Sequence, residues 1–223
     1  MAAFTDRREA GQELAQELSG YAGRDDVVVL GLPRGGVPVA FEVAKALKAT
    51  LDVFVVRKLG APQNPELAMG AIASGGVRVM NEDVVGRMGI SQETIERVAD
   101  KERGKLEKRE EVYRGARPGV ELEGKTVLLV DDGLATGATM RAAVSALREH
   151  EPERIVVAVP TAPAETCADF EDEADAVVCL TTPRPFFGVG GAYDVFSQTS
   201  NEEVRELLEE ADSLSHVEAV GTG

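Results

Sequence analysis

Aromatic side chains make up only 4% of this 223-residue chain, there are two histidines and two cysteines, and seven of its 24 basic residues are lysine. Each shortage excludes something. His150 and His216 are too few and too far apart to build a histidine-ligated metal centre. Cys167 and Cys179 lack the close paired spacing of a zinc site, and they read as reduced, structural thiols of a cytoplasmic protein. No apolar run approaches the length of a membrane span, and no secretory pattern opens the chain. A net charge of −15, from 39 acids against 24 bases, disfavours nucleic acid and anionic membrane as partners. The lysine-poor, acid-rich balance fits life in concentrated salt, and equally a simple bias of base composition. No Ser/His or Cys/His arrangement offers an activated nucleophile.

What the chain does have is an apolar fraction of 43%, enough for one large α/β domain, and one organising stretch. Thr126 to Val130 is a short apolar, β-branched run, the mark of a strand buried on both faces. Asp131 and Asp132 end it, and Gly133-Leu134-Ala135-Thr136-Gly137-Ala138-Thr139 follows as a loop of small residues. Met140 to Arg148 then reads as a helix. A small-residue loop entering a helix suits a phosphate, because the backbone can come close and the first N–H groups of the helix are unpaired. Thr136 and Thr139 add hydroxyl donors. Three plainer readings compete. A magnesium-holding nucleotide hydrolase would need a G-x-x-x-x-G-K-[ST] segment, and there is none. An aspartyl-phosphate enzyme would place its second acid two positions after Asp131. A helix cap by Thr139 explains one threonine and leaves the acidic pair idle.

A second strand–loop–helix unit precedes it. Val27 to Leu30 is a buried strand, Gly31-Leu32-Pro33-Arg34-Gly35-Gly36-Val37-Pro38 its loop, and Val39 to Leu47 a helix. The glycine spacing is not that of a dinucleotide fold. Residues 51–56 read as a further strand ending in Arg57-Lys58, residues 60–65 as a loop, and residues 67–81 as a hairpin turning at Gly75-Gly76. Residues 5–19 read as a capped helix packing through Ala10, Leu14, Ala15 and Leu18. Ser91 to Arg114 is a charged helical insert with Ile95, Val98 and Leu106 in partial register, most simply a solvated helix laced with ion pairs. Residues 154–160 and 176–180 are two more strands joined by a helix near 164–172, and Glu202 to Ala211 a closing helix. Repeated βα units predict a three-layer α/β/α fold, with a mainly parallel central sheet of five to six strands. If the strands spread outward in both directions, the first strand and the 126–131 strand are central neighbours, opening both loops onto one crevice at the carboxyl edge.

At Asp131 to Thr139 the chain resembles the type I phosphoribosyltransferases, whose fingerprint is a hydrophobic strand, two acids, a short link and a small-Thr-Gly-small-Thr loop. The resemblance extends over about residues 5–211 and implies a single domain over 1–211, with an insert or lid at about 83–118 and a hood at about 183–200. Residues 212–223 read as a flexible tail. It implies that Ala135, Thr136, Gly137, Ala138 and Thr139 hold the 5′-phosphate of phosphoribosyl pyrophosphate, while Asp131 and Asp132 face the ribose hydroxyls. Arg34, Gly35 and Gly36 would receive the pyrophosphate, with Pro33–Arg34 at the place of a cis peptide found in some members. Arg57 and Lys58 would neutralise the leaving group. Phe186, Phe187 and Tyr193 would stack on the acceptor base, with Asp194 as a polar selector.

The implied activity is transfer of the 5-phosphoribosyl group to a nitrogenous base or related amine with release of pyrophosphate. Mg2+ would be carried by the substrate, bridged through water to Asp131 and Asp132 rather than held directly. The expected partners are phosphoribosyl pyrophosphate, the acceptor base and a second copy of the chain. The main rival is a sensor of phosphoribosyl pyrophosphate or nucleotides that has lost turnover. A phosphatase or phosphorylase of a ribose phosphate is a remoter one.

Overall fold

A computed structural model describes residues 2–220, with side chains described at all of these except 66 and 215–220. Five parallel strands form the main sheet in the order β2 (Thr50–Val53), β1 (Val27–Gly31), β6 (Thr126–Val130), β7 (Arg154–Thr161) and β8 (Ala176–Thr181). Every residue of β1 and β6 is buried. This explains why both read as continuous apolar runs: each strand has helices on both faces, so neither set of alternating side chains needs to be polar. Val27, Val29, Leu128, Val130 and Val156 face one layer, containing α1 (Arg7–Glu17), α2 (Gly36–Leu47), α4 (Gln92–Arg114) and α7 (Asn201–Val220). Val28, Leu30, Val127, Leu129 and Ile155 face the other, containing α5 (Ala138–Arg148) and Phe170, just beyond α6 (Ala164–Asp169). The expected three layers and central pairing are both present, with Gly31 in register with Val130.

A second, antiparallel sheet of β3 (Val56–Ala61), β4 (Asn64–Ala73) and β5 (Arg78–Met80) lies beside it, followed by the short α3 (Glu82–Met88). Here three sequence expectations need correction. The strand expected over 51–56 is two strands in different sheets, and the chain turns at Phe54-Val55. The Phe54 N–H donates to Gly31 O at 3.1 Å and the Val55 N–H to Ser74 Oγ at 2.9 Å, so neither amide is left unpaired at the corner. Arg57 and Lys58 therefore start a strand of the small sheet instead of ending one of the main sheet. The loop expected over 60–65 is mostly strand, because Ala61 pairs with Asn64 around a tight turn.

The closing helix expected to stop at Ala211 runs on to Val220, so through that residue the tail is not a loose end. Nothing between 212 and 220 breaks a helix, and Arg117 anchors the stretch through an ion pair with Asp212. Residues 221–223 of the expected tail lie outside the described residues. Cys167 and Cys179, expected as free thiols, are bonded to each other. Their 12-residue separation in sequence hid the pairing, which depends on α6 packing beside β8.

Helix α4 fits the expected boundaries closely, capped by the Ser91 side chain. It is docked rather than solvated all round. Ile95, Ala99, Leu106 and Tyr113 are buried, and Arg114 donates from Nε to the buried Asp52 at 2.8 Å and from Nη2 to Val53 O at 2.6 Å.

Candidate active site

The register of β1 against β6 ends both strands at the same edge, and the Leu32 N–H adds one more bond to Val130 O at 2.9 Å. The 32–36 loop consequently leaves β1 directly against Asp131 and Asp132. Its Pro33–Arg34 peptide is cis, at the bond the resemblance indicated. Gly35 and Gly36 are needed for the approach of these two segments. A β-carbon at 36 would come within 2.7 Å of Val130 O, and one at 35 would overlap the Asp132 carboxylate.

Around this contact lies a cavity of about 340 Å³, lined by Arg7, Arg34, Gly35, Asp132 and the 196–199 segment. Arg7 was not expected here. Its Nε and Nη2 both lie 2.8 Å from Asp132 Oδ2, and its Nη1 donates to Ser197 O at 2.7 Å. The guanidinium carbon stands 4.0 Å from the centre of the Phe196 ring. In sequence Arg7 is one base at the start of an amphipathic helix, with nothing to set it apart from Arg8. The placement arises because Phe4 forms a parallel bridge to Tyr193, and the Asp194 and Val195 N–H groups donate to Phe4 O and Thr5 O. Asp6 then caps α1 and presents Arg7 to the site.

The acidic pair is strongly perturbed. Burial, reinforced by repulsion from Asp132, pushes the Asp131 carboxyl well above the usual carboxylate range. Burial also raises Asp132, while the Arg7 guanidinium pulls it back. The Asp132 N–H donates to Asp131 Oδ1 at 2.8 Å, which orients the first acid. Among the described residues no group of three or more His, Cys, Asp or Glu could hold a metal ion. Two adjacent carboxylates alone suit an ion that arrives with most of its ligands on the substrate.

The small-residue loop lies alongside. Ala135, Thr136, Ala138 and Thr139 are exposed, and Gly137 is buried with φ of 72°. Gly137 backs onto Phe170, which a β-carbon there would strike at 2.7 Å. The loop is braced from behind by residues that sequence reasoning did not find. Thr166 Oγ1 donates to Ala135 O at 3.2 Å, and Arg141 Nη1 donates to Thr136 O at 2.7 Å. Arg141 is itself held by Asp169 and Glu173.

Other expected site residues lie elsewhere. Arg57 is paired with Glu102 of α4 at 2.6 Å, and neither it nor Lys58, exposed on β3, lines the cavity. Tyr193 is buried, with its ring stacked on Phe196 at 5.1 Å and its hydroxyl donating to Asp132 O at 2.6 Å. Its aromatic face is therefore spent on the protein, which corrects the expectation that it stacks on a base. Phe186 is half-buried, and Phe187, at 84% exposure, presents an open ring. Asp194 is exposed.

A parallel sheet with an acidic pair and a small-residue loop at one carboxyl edge, and a glycine-bearing loop pressed against that pair, defines a domain of the phosphoribosyl transferase type. Residues 3–195 match the phosphoribosyl transferase domain, and the chain belongs to that family. Over 211 residues it is 51% identical to "Putative phosphoribosyl transferase Rv0571c" of Mycobacterium tuberculosis (strain ATCC 25618 / H37Rv). It is equally similar to "Putative phosphoribosyl transferase MT0597" of strain CDC 1551 / Oshkosh. Each match takes in 95% of this chain and 47% of the relative, so the chain spans about half the length of the curated relatives it matches. Among solved structures it is similar to that of TT1426 from Thermus thermophilus, with 46% identity, 93% of this chain and 98% of the other covered, and a TM-score of 0.84. No helix of the described residues is long and apolar enough to cross a membrane.

Proposed function

We propose that this domain transfers the 5-phosphoribosyl group of phosphoribosyl pyrophosphate to a nitrogenous base or related amine. The observation that carries the reading is the contact of Gly35 with Asp132, which puts two anion-suited loops on either side of one acidic pair. A ligand with phosphate at one end and pyrophosphate at the other spans such an arrangement. Thr136, Thr139 and the first N–H groups of α5 hold the 5′-phosphate. Arg34, with the backbone at Gly35 and Gly36, receives the pyrophosphate. Asp131 and Asp132 accept the ribose hydroxyls and oppose the positive charge that grows at C1 as its bond to pyrophosphate breaks. The acceptor nitrogen bonds to C1, the electron pair of the broken C1–O bond leaves with pyrophosphate, and the proton of the acceptor nitrogen passes to solvent. Mg2+, arriving with the substrate, supplies neutralisation of the pyrophosphate charge. Phe187, whose ring is open to solvent, is the side chain we assign to stacking on the acceptor, together with the half-buried Phe186.

The pairing of Arg57 with Glu102 removes one cation from the expected leaving-group set. That favours, as a second reading, a domain that binds phosphoribosyl pyrophosphate without turning it over. One set of preparations separates the two. Calorimetric binding of the magnesium complex and pyrophosphate release across a panel of bases are measured for wild type, Asp131→Asn and Asp132→Asn. For the enzyme, Asp132→Asn lowers turnover about a hundredfold, roughly 2.7 kcal/mol of transition-state stabilisation, and binding much less. Tight wild-type binding with no release for any base would reject the enzyme and leave the sensor.

A further inference from the structure

We infer that Arg7 is a positioning residue for Asp132, and that through it helix α1 and the 193–199 segment become part of the ribose site. The inference rests on the phosphoribosyl reading above and deepens it. A carboxylate on a short side chain turns easily about its bond to the β-carbon. At Asp132 that freedom is removed, because two donors of one planar guanidinium converge on Oδ2, each at 2.8 Å. Turning the carboxyl group breaks both bonds at once. The main chain of the same residue is pinned as well, by the Tyr193 hydroxyl on Asp132 O at 2.6 Å.

The two restraints belong to one ring of contacts. Tyr193 stacks on Phe196, Phe196 lies under the Arg7 guanidinium, and Arg7 holds Asp132, whose carbonyl returns to Tyr193. Arg7 also donates to Ser197 O, so the cation bridges the acid and the segment on the far side of the cavity. With side chains only 11% and 14% exposed, Arg7 and Asp132 do not form a solvent-screened surface pair. Lysine could not replace this arrangement, since one ammonium cannot supply parallel donors to a carboxylate while reaching a carbonyl in a third direction. An oriented carboxylate matters to a ligand that presents hydroxyls, and is indifferent to a phosphate held by the neighbouring loop.

That difference supplies the test. The full chain is titrated calorimetrically with inorganic phosphate and with ribose 5-phosphate, for wild type, Arg7→Gln and Arg7→Lys, with melting temperatures recorded alongside. The ratio of the two dissociation constants isolates what the sugar adds. In wild type ribose 5-phosphate binds more tightly than phosphate. In Arg7→Gln that advantage falls tenfold or more while phosphate affinity holds, and Arg7→Lys, which keeps the charge without the fork, recovers part of it. An unchanged ratio in Arg7→Gln overturns the inference. Equal weakening of both ligands overturns it too, since a general loosening of the fold would do that. Should Arg7→Gln fail to fold, Arg7→Lys decides alone, and a wild-type ratio there is the contrary result. If wild type itself shows no preference for ribose 5-phosphate over phosphate, the phosphoribosyl reading fails first and takes this inference with it.

Discussion

Gly35 and Asp132 share one space: a β-carbon on residue 35 would overlap Asp132 Oδ2 and lie 3.3 Å from Arg7 Nη2. Only a residue without a side chain lets the loop after β1 meet the acidic pair. Gly35→Ala must therefore displace the loop or the carboxylate, at a cost of about 1–3 kcal/mol in stability. It should also abolish most of the stabilisation conferred by magnesium phosphoribosyl pyrophosphate, about 2.7 kcal/mol at a hundred times the dissociation constant. Thermal melts with and without ligand check this, and a full ligand shift in the variant would contradict it.

Asp131 links stability to pH. Burial beside Asp132 raises its pKa in the folded state, so the fold binds this proton more tightly than the unfolded chain does. Its contribution is full below the unfolded value of about 3.9 and is lost as pH rises through the folded one. The amide of Asp131→Asn never ionises and can still accept from the Asp132 N–H. In metal-free protein the variant should be more stable than wild type at pH 7. The gap should close toward about pH 4. Denaturant titrations at both pH values test it, and a gap that widens on acidification would count against the assignment.

Helix α4 is docked through Arg114 on Asp52, whose side chains are 12% and 7% exposed. Asp52→Ala leaves that guanidinium to Glu110 and Val53 O, and should cost less than the roughly 3–5 kcal/mol of a wholly uncompensated buried charge. In wild type, trypsin should cut slowly between Lys101 and Arg109, at a rate that ligand does not change. Ligand-dependent protection of that stretch would instead support the lid reading.

The bonded cysteines tie down the helix that braces the 135–139 loop. Cys167 belongs to α6, whose Thr166 holds Ala135 O and whose Asp169 steadies Arg141 against Thr136 O. Reduction should lower stability by about 3 kcal/mol, the scale for a loop of this length, and should weaken inorganic phosphate binding. Phosphate titrations with and without reductant measure the effect. The Cys167→Ser variant should resemble reduced wild type and show no response to reductant. A response in that variant would exclude the disulfide as the cause.

Local pattern was enough wherever a residue's role depends on its neighbours in the chain. The buried runs of β1 and β6, the small loop at 135–139 and the span of α4 are all legible, because strand burial, close backbone approach and helical period are written over a few consecutive residues, whereas the cis bond at Pro33–Arg34 was indicated by the family resemblance alone. The same locality misled at 51–56, where two β-branched halves read as one strand and only the corner at Phe54 shows that they join different sheets. The family resemblance pointed Tyr193 at the acceptor base, when its ring and hydroxyl are taken by Phe196 and Asp132. Arg57 pairs with Glu102, 45 residues on, and Arg7 with Asp132, 125 residues on. No period or motif connects such residues. By itself the sequence determined the buried strands β1 and β6, the loops that follow them and the acidic pair at the end of β6. The tertiary structure decided which cations reach those acids, because that depends on where sheet register and the bridge from Phe4 to Tyr193 deliver side chains from opposite ends of the chain.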